Sequence, residues 1–123
     1  MLHTTVLVMA KDRFIAALFG ALVELSGRIA AYRLDNEATD SAVRRTHPEL
    51  VMFDCALGFT ACTEIAAVAR LEGLRLLMFS ASHTDREASD IARLYGAQVI
   101  VLPIKPRDFI QSLDRALEVT TPS

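Results

Sequence analysis

Five short apolar runs, separated by segments with helical spacing, limit the possible folds of this chain more than any other feature. The runs contain mostly aliphatic and β-branched residues and have the length of buried strands. Strands that alternate with helices predict a parallel sheet with helices on both faces and right-handed crossovers. The predicted strands span residues 4–10, 28–34, 50–54, 74–80 and 97–103.

Helix signals fill the intervals between these runs. Asp12 caps or begins the first helix, and Gly27 ends it. Further helices are predicted over 37–47, 60–72, 82–96 and 106–119. Apolar side chains at helical spacing predict which faces point inward. The inward residues are expected to be Phe14, Ile15, Leu18, Leu22 and Leu25 in the first helix, and Ile65, Val68 and Leu71 in the third.

Length and composition narrow the class of protein. With 123 residues, we expect one domain over residues 1–123. The net charge is −2, and the 13 Lys and Arg residues are scattered, so no direct contact with nucleic acid is expected. No apolar run reaches the ~18 residues of a membrane span. Residues 1–12 lack the features of a signal peptide, so we expect a cytoplasmic protein with no membrane contact.

Polar residues follow the predicted strands where each strand ends. In an open parallel sheet, ligands bind at the carboxyl ends of the strands, near the point where the strand order reverses. A carboxylate, a hydroxyl and an ammonium group are therefore expected to converge on one rim of the sheet. The first strand ends in Ala10, Lys11 and Asp12, the third in Asp54, and the fourth in Ser80 and Ala81. Lys105 and Pro106 follow the fifth strand.

These strand ends resemble a known family, the receiver domains of two-component response regulators. The segments that carry the resemblance are PELVMFD (48–54), LLMFSA (76–81), and GA (96–97) leading to KP (105–106). The stretch 6–25 also matches the family's first strand and helix in apolar spacing. The resemblance implies an α/β, flavodoxin-like, CheY-like (βα)5 three-layer sandwich, with a parallel five-stranded sheet in the order 2-1-3-4-5.

The resemblance also implies roles for individual residues. Asp54 resembles the aspartate that accepts phosphate from a histidine kinase, and Ser80 the switch hydroxyl that bonds to that phosphate. Ala81 resembles the small residue that leaves the phosphoryl group accessible. Lys105 resembles the lysine that pairs with the aspartate and then with its phosphate. The bond between Lys105 and Pro106 is often cis in the family.

The largest departure from the family concerns its metal site. The family carries two acidic residues after strand one, which hold Mg²⁺ together with the phospho-acceptor, and here Ala10 and Lys11 occupy those positions. Only Asp54, and Asp12 if the match slides by one residue, remain as carboxylates, so we expect no cofactor and at most weak Mg²⁺ binding. Lys11 and Lys105 are a possible cationic substitute, which would hold Asp54 in a fixed, metal-free state.

A second departure lies after strand five. The stretch from Gly96 to Lys105 is two residues longer than the usual family spacing, so an altered loop could displace Lys105. The aromatic residue common late in strand five is also missing from residues 99–104.

Each of these residues also has a purely structural interpretation. Asp54 could cap a neighbouring turn, and Ser80 could cap a helix. Lys105 could be only a structural partner of Asp54, and Lys11 could be an exposed loop lysine.

The sequence favours an atypical, or pseudo-, receiver that is not an enzyme. In this interpretation the chain is a protein-interaction module in phosphorelay signal transduction. Its partner would be a histidine kinase or a downstream effector, with a possible homodimer through residues 83–119. The alternative is a phosphorylatable single-domain response regulator that accepts phosphate on Asp54. A flavodoxin-like binding protein or enzyme of another kind is disfavoured, because residues 10–14 contain no phosphate-binding glycine.

Overall fold

The computed structural model describes residues 3–81 and 86–118, and the predicted strands and helices are found within these ranges. A short 3₁₀ turn, Cys55–Leu57, connects the third strand to the third helix. In chain order the elements are β1 (Thr5–Met9), α1 (Arg13–Leu25), β2 (Ile29–Tyr32), α2 (Thr39–Thr46), β3 (Leu50–Asp54), α3 (Phe59–Leu71), β4 (Arg75–Ser80), α4 (Arg86–Tyr95), β5 (Gln98–Val101) and α5 (Pro106–Leu117).

The five strands form one parallel sheet in the order β2-β1-β3-β4-β5, as predicted. The register of the sheet places Met9 of β1 beside Phe53 of β3. On the other side of β3, Asp54 lies beside Phe79 of β4. The carboxyl ends of β1, β3 and β4 therefore lie side by side at one edge of the sheet, and this places the strand-end residues close together.

Helices cover both faces of the sheet, which gives the predicted three-layer sandwich. Alternate residues of each central strand point to opposite layers. In β3, Leu50 and Met52 pack against α1 and α5, whereas Val51 and Phe53 pack against α2, α3 and α4. Because the central strands are buried on both faces, they read as continuous apolar runs in the sequence.

Three phenylalanines join α1, β4 and α5 on one face. The ring centroid of Phe19 lies 4.4 Å from that of Phe79 and 5.2 Å from that of Phe109. All three side chains are buried. This cluster fixes which side of α1 faces the sheet.

The predicted inward faces of two helices need correction. On α1, the buried residues are Phe19, Gly20 and Val23, with Ile15 and Leu22 partly buried beside them. Since residues 14–23 of α1 are apolar on every side, helical spacing alone fits more than one face, and the predicted face was wrong in part. The residues predicted to point inward that are exposed instead are Phe14, Leu18 and Leu25 on α1, and Leu71 at the end of α3.

Helix ends agree with the capping signals where the structure describes them. The Asp12 carboxylate accepts a hydrogen bond from the Phe14 N–H at 2.7 Å, so Asp12 is the N-cap of α1. Pro106 is the first residue of α5, as predicted, although α5 ends at Leu117. The predicted start of the fourth helix at 82–85 and the predicted helix end at Val119 fall outside the described residues. Within the described ranges, no helix has the length and apolar character needed to cross a bilayer.

An ion pair between Arg45 and Glu37 ties the connection between β2 and α2 to α2. The Arg45 guanidinium donates to Glu37 at 2.8 Å and to the Tyr32 carbonyl at 2.7 Å. Glu37 also accepts from the Leu34 N–H at 3.0 Å. These hydrogen bonds lower the pKa of Glu37 to about 2, and the hydrogen bond from Arg45 has the largest effect. The ion pair ties the end of β2, the edge strand, to the body of α2.

Candidate functional site

The predicted strand-end residues line a cavity of about 620 Å³ at the carboxyl edge of the sheet. Asp54 lies at its floor as the last residue of β3, with 9% of its surface exposed. The residues of the predicted site that line it are Lys11, Asp12, Asp54, Ser80 and Ala81. The predicted carboxylate and hydroxyl, Asp54 and Ser80, therefore lie together at this rim, whereas the predicted ammonium of Lys105 does not; the lysine that lines the cavity is Lys11.

The Asp54 carboxylate accepts hydrogen bonds from two backbone N–H groups. One oxygen accepts from Ala56 at 2.9 Å, which caps the 3₁₀ turn that follows β3. The other accepts from the backbone N–H of Lys11 at 3.4 Å. Asp54 therefore caps the turn that follows β3, which was the structural interpretation of this residue from the sequence. This contact gives the buried carboxylate a structural role whatever its chemistry.

Lys105 does not reach Asp54, which corrects the pairing predicted from the resemblance. Lys105 is the N-cap of α5 and does not line the cavity. Within the described residues, Asp54 makes no ion pair with either Lys105 or Lys11. The longer stretch after β5 explains the displacement, because Leu102 and Ile104 pack against the core before the chain reaches Lys105.

Leu102 occupies the place by the cavity that was predicted for Lys105. Its side chain lines the cavity, and its backbone N–H donates to the Ser80 carbonyl at 2.8 Å. The family resemblance did not point to Leu102, because the Lys-Pro pair at 105–106 matches the family's motif. The sequence feature that could have identified Leu102 is Pro103, the first proline after β5. Within residues 3–81 and 86–118 the cis peptide bond is Leu102–Pro103, so the expectation of a cis bond at Lys105–Pro106 was wrong.

Lys11 presents its backbone, not its ammonium group, to the carboxylate. Its side chain is exposed at the mouth of the cavity, next to Asp12. The alternative of an exposed loop lysine therefore describes its conformation. The proposed cationic substitute, in which Lys11 and Lys105 both pair with Asp54, is not formed within the described chain.

The residues of this cavity do not fit the Mg²⁺ that the resemblance implies. Mg²⁺ requires several hard oxygen ligands in near-octahedral geometry. Among the described residues that line the cavity, Asp12 and Asp54 are the only carboxylates, and each already accepts a backbone hydrogen bond. Residues 3–81 and 86–118 contain no group of three or more His, Cys, Asp or Glu side chains that could hold a metal ion. An ammonium group at the same mouth further disfavours a cation.

Comparisons with known proteins place the fold. No protein-family model and no curated protein sequence matches this chain. Solved structures do match it, and one is a candidate pilus assembly protein, CpaE, from Burkholderia thailandensis. This structure is 25% identical with a TM-score of 0.73, over 92% of this chain and 97% of that one.

Two signalling proteins show the same likeness at lower identity. A response regulator from Thermotoga maritima has a TM-score of 0.79 at 18% identity, over 94% of this chain and 98% of that one. The chemotaxis protein CheY4 from Vibrio cholerae has a TM-score of 0.75 at 15% identity, over 94% of this chain and all of that one, 100%. Together with the strand order and the helix layers, these matches show that the chain has the CheY-like receiver-domain fold.

Proposed function

We propose that this chain is an atypical receiver domain, which acts in phosphorelay signal transduction as a protein-interaction module without Mg²⁺-dependent phosphorylation. One observation carries the proposal: within the described residues, Asp54 makes no ion pair with a lysine, and no acidic pair follows β1 beside it. Leu102 lines the cavity in the place predicted for a lysine. Ala10 and Lys11 follow β1 at the positions where the resemblance implies an acidic pair.

Phosphoryl transfer requires positive charge beside the phospho-acceptor, which is why these surroundings matter. The transferred group carries negative charge, and catalysis consists largely of positioning and of stabilising that charge with cations. The described residues give the Asp54 carboxylate two backbone N–H donors, with the aliphatic side chain of Leu102 in the same cavity and no paired cation. A carboxylate so placed is suited to holding the turn after β3 in one conformation, and hence to presenting a fixed surface to a partner.

The proposed partner is a signalling protein, either a histidine kinase or a downstream effector. The likeness to a candidate pilus assembly protein over nearly the whole chain supports an effector connected with such an assembly. We further propose that the protein is cytoplasmic, is not an enzyme, needs no cofactor and does not contact nucleic acid directly. The absence of a basic surplus supports the last of these points.

The alternative function is a phosphorylatable single-domain response regulator. It is favoured by one observation: Asp54, Ser80 and Ala81 line the same cavity, as the family chemistry requires. In that case Asp12, which lines the same cavity while it caps α1, would join a rearranged metal site.

Intact-mass measurement separates the two functions. The protein and its Asp54→Asn variant are incubated with acetyl phosphate and Mg²⁺, and their masses are recorded over time. We expect the spectra of both proteins to remain free of a phosphoryl adduct, because the site cannot offset the charge of the transferred group. An adduct on the wild-type chain that the Asp54→Asn variant lacks would establish the alternative instead.

A further inference from the structure

The outward face of α1 carries an apolar strip, which the described chain leaves exposed. No charged or polar side chain occurs from Phe14 to Val23. Phe14 is 83% exposed, Leu18 53% and Leu25 72%. A helix that is apolar on all sides is normally buried on all sides, and a contiguous exposed apolar strip marks an interaction surface.

The exposed residues form a single line, called here the α1 stripe: Phe14, Leu18, Ala21 and Leu25. Their spacings are four, three and four residues, so each lies above its neighbour on one side of the helix. The stripe is about 17 Å long at 1.5 Å per residue. This is the pattern of a helix that packs along another helix.

The spacing of the α1 stripe reads the same in both directions, which makes the stripe self-complementary. A twofold axis beside the midpoint of Leu18 and Ala21 would place a second α1 antiparallel to the first. Leu18 would then pack against the partner's Ala21, a large side chain against a small one. Phe14 would pack against the partner's Leu25. Such matching of a surface with itself is what a twofold interface requires.

The charges at the two ends of α1 distinguish antiparallel from parallel pairing. Arg13 and Glu24 lie on the same flank of the α1 stripe, one at each end, and both are exposed. In the antiparallel pair, Arg13 approaches the partner's Glu24, and the symmetry repeats this contact. In a parallel twofold pair, this flank of each copy would lie on opposite sides of the pair, so the contact would not form. The helix dipoles favour the same antiparallel arrangement.

We propose that the α1 stripe is a homodimer interface, in which a second copy of this chain packs its α1 antiparallel on the first. This inference concerns a surface away from the cavity and is independent of whether Asp54 accepts phosphate. It moves the homodimer predicted through residues 83–119 to a different helix. In the described part of that segment, the large exposed apolar residues are Leu94 and Val99, which belong to different elements.

The size of the stripe sets the strength of the dimer. One helix pair buries less than the ~800 Å² per partner of a standard stable interface. We therefore expect a reversible dimer with a dissociation constant on the order of 10–100 μM.

Sedimentation velocity over a range from about 5 to 500 μM protein tests the proposal. The wild-type chain should pass from monomer to dimer across this range, and Leu18→Glu should remain a monomer. The matched control is Leu71→Glu, since Leu71 is 86% exposed at the end of α3, on the other side of the sheet. This control should dimerise like the wild type. Far-UV circular dichroism checks that both variants fold.

A charge exchange provides the second test. Arg13→Glu and Glu24→Arg should each weaken the dimer severalfold, because each brings like charges together at both ends of the pair. The double variant Arg13→Glu/Glu24→Arg should regain the wild-type dissociation constant. Its recovery cannot come from the intrachain ion pair of Arg13 with Asp35, because the exchange leaves that pair broken.

Three outcomes would overturn the proposal. One is a wild-type chain that stays monomeric at the highest concentration, which would leave the stripe for a different protein. Another is a dimer that survives Leu18→Glu but is lost in Leu94→Glu, which would place the interface on α4. The last is a double charge variant that dimerises no better than either single variant.

Discussion

Replacing Phe19 by alanine is expected to lower the free energy of unfolding by about 3–5 kcal/mol, the usual cost of truncating a buried phenylalanine. Phe19 is 2% exposed and lies between Phe79 and Phe109, where α1 and α5 meet on β4. Since domains of this size are stable by about 5–15 kcal/mol, the loss is a large share of the total. Urea denaturation followed by circular dichroism measures it.

Phe14→Ala is the matched control, with the same substitution on the same helix. Phe14 points away from the sheet, so in dilute, monomeric protein the change is expected to stay within about 0.5 kcal/mol. The pair of variants therefore tests which face of α1 is buried. If Phe14→Ala costs as much as Phe19→Ala, α1 is rotated relative to the packing described above.

Restoring the acidic pair is expected to create a metal site. The double variant Ala10→Asp/Lys11→Asp should bind Mg²⁺ in the millimolar range or more tightly, at least about tenfold better than the wild-type chain. The change removes an ammonium group from the cavity mouth and adds carboxylates beside Asp54. Isothermal titration calorimetry measures the affinity.

The control for this gain is Ala10→Asn/Lys11→Asn, which has side chains of the same size without the negative charge. It should bind Mg²⁺ little better than the wild type. Adding Asp54→Asn to the aspartate variant should remove the gained affinity, because Asp54 would be one of the ligands. Equal Mg²⁺ affinity in the wild type and the aspartate variant would contradict the account.

The sheet could be predicted from the sequence because its central strands are buried on both faces. β3 is the clearest case, since each residue from Leu50 to Asp54 is buried and the strand has the predicted bounds. The faces of α1 could not be predicted in the same way. A helix that is apolar on every side gives no preferred direction, and contact between Phe19 and residues distant in sequence decides which side is buried.

In the candidate site, too, some residues could be placed from the sequence and others could not. Asp54, Ser80 and Ala81 could be placed on one rim because they end neighbouring strands, and strand ends follow from the sheet order. Lys105 could not be placed, since it follows an irregular segment with no periodicity. The path of that segment brings Leu102 to the cavity, and no local pattern in the sequence predicts which of its side chains does so.

The central claim is that Asp54 belongs to a receiver site without a functional metal centre, and a crystal soaked with Mg²⁺ and beryllofluoride tests it most directly. The account predicts that the Asp54 carboxylate keeps its hydrogen bonds to the Ala56 and Lys11 N–H groups, with neither metal nor phosphoryl mimic bound. A Mg²⁺ ion coordinated by Asp54, with beryllofluoride on the same carboxylate, would contradict it.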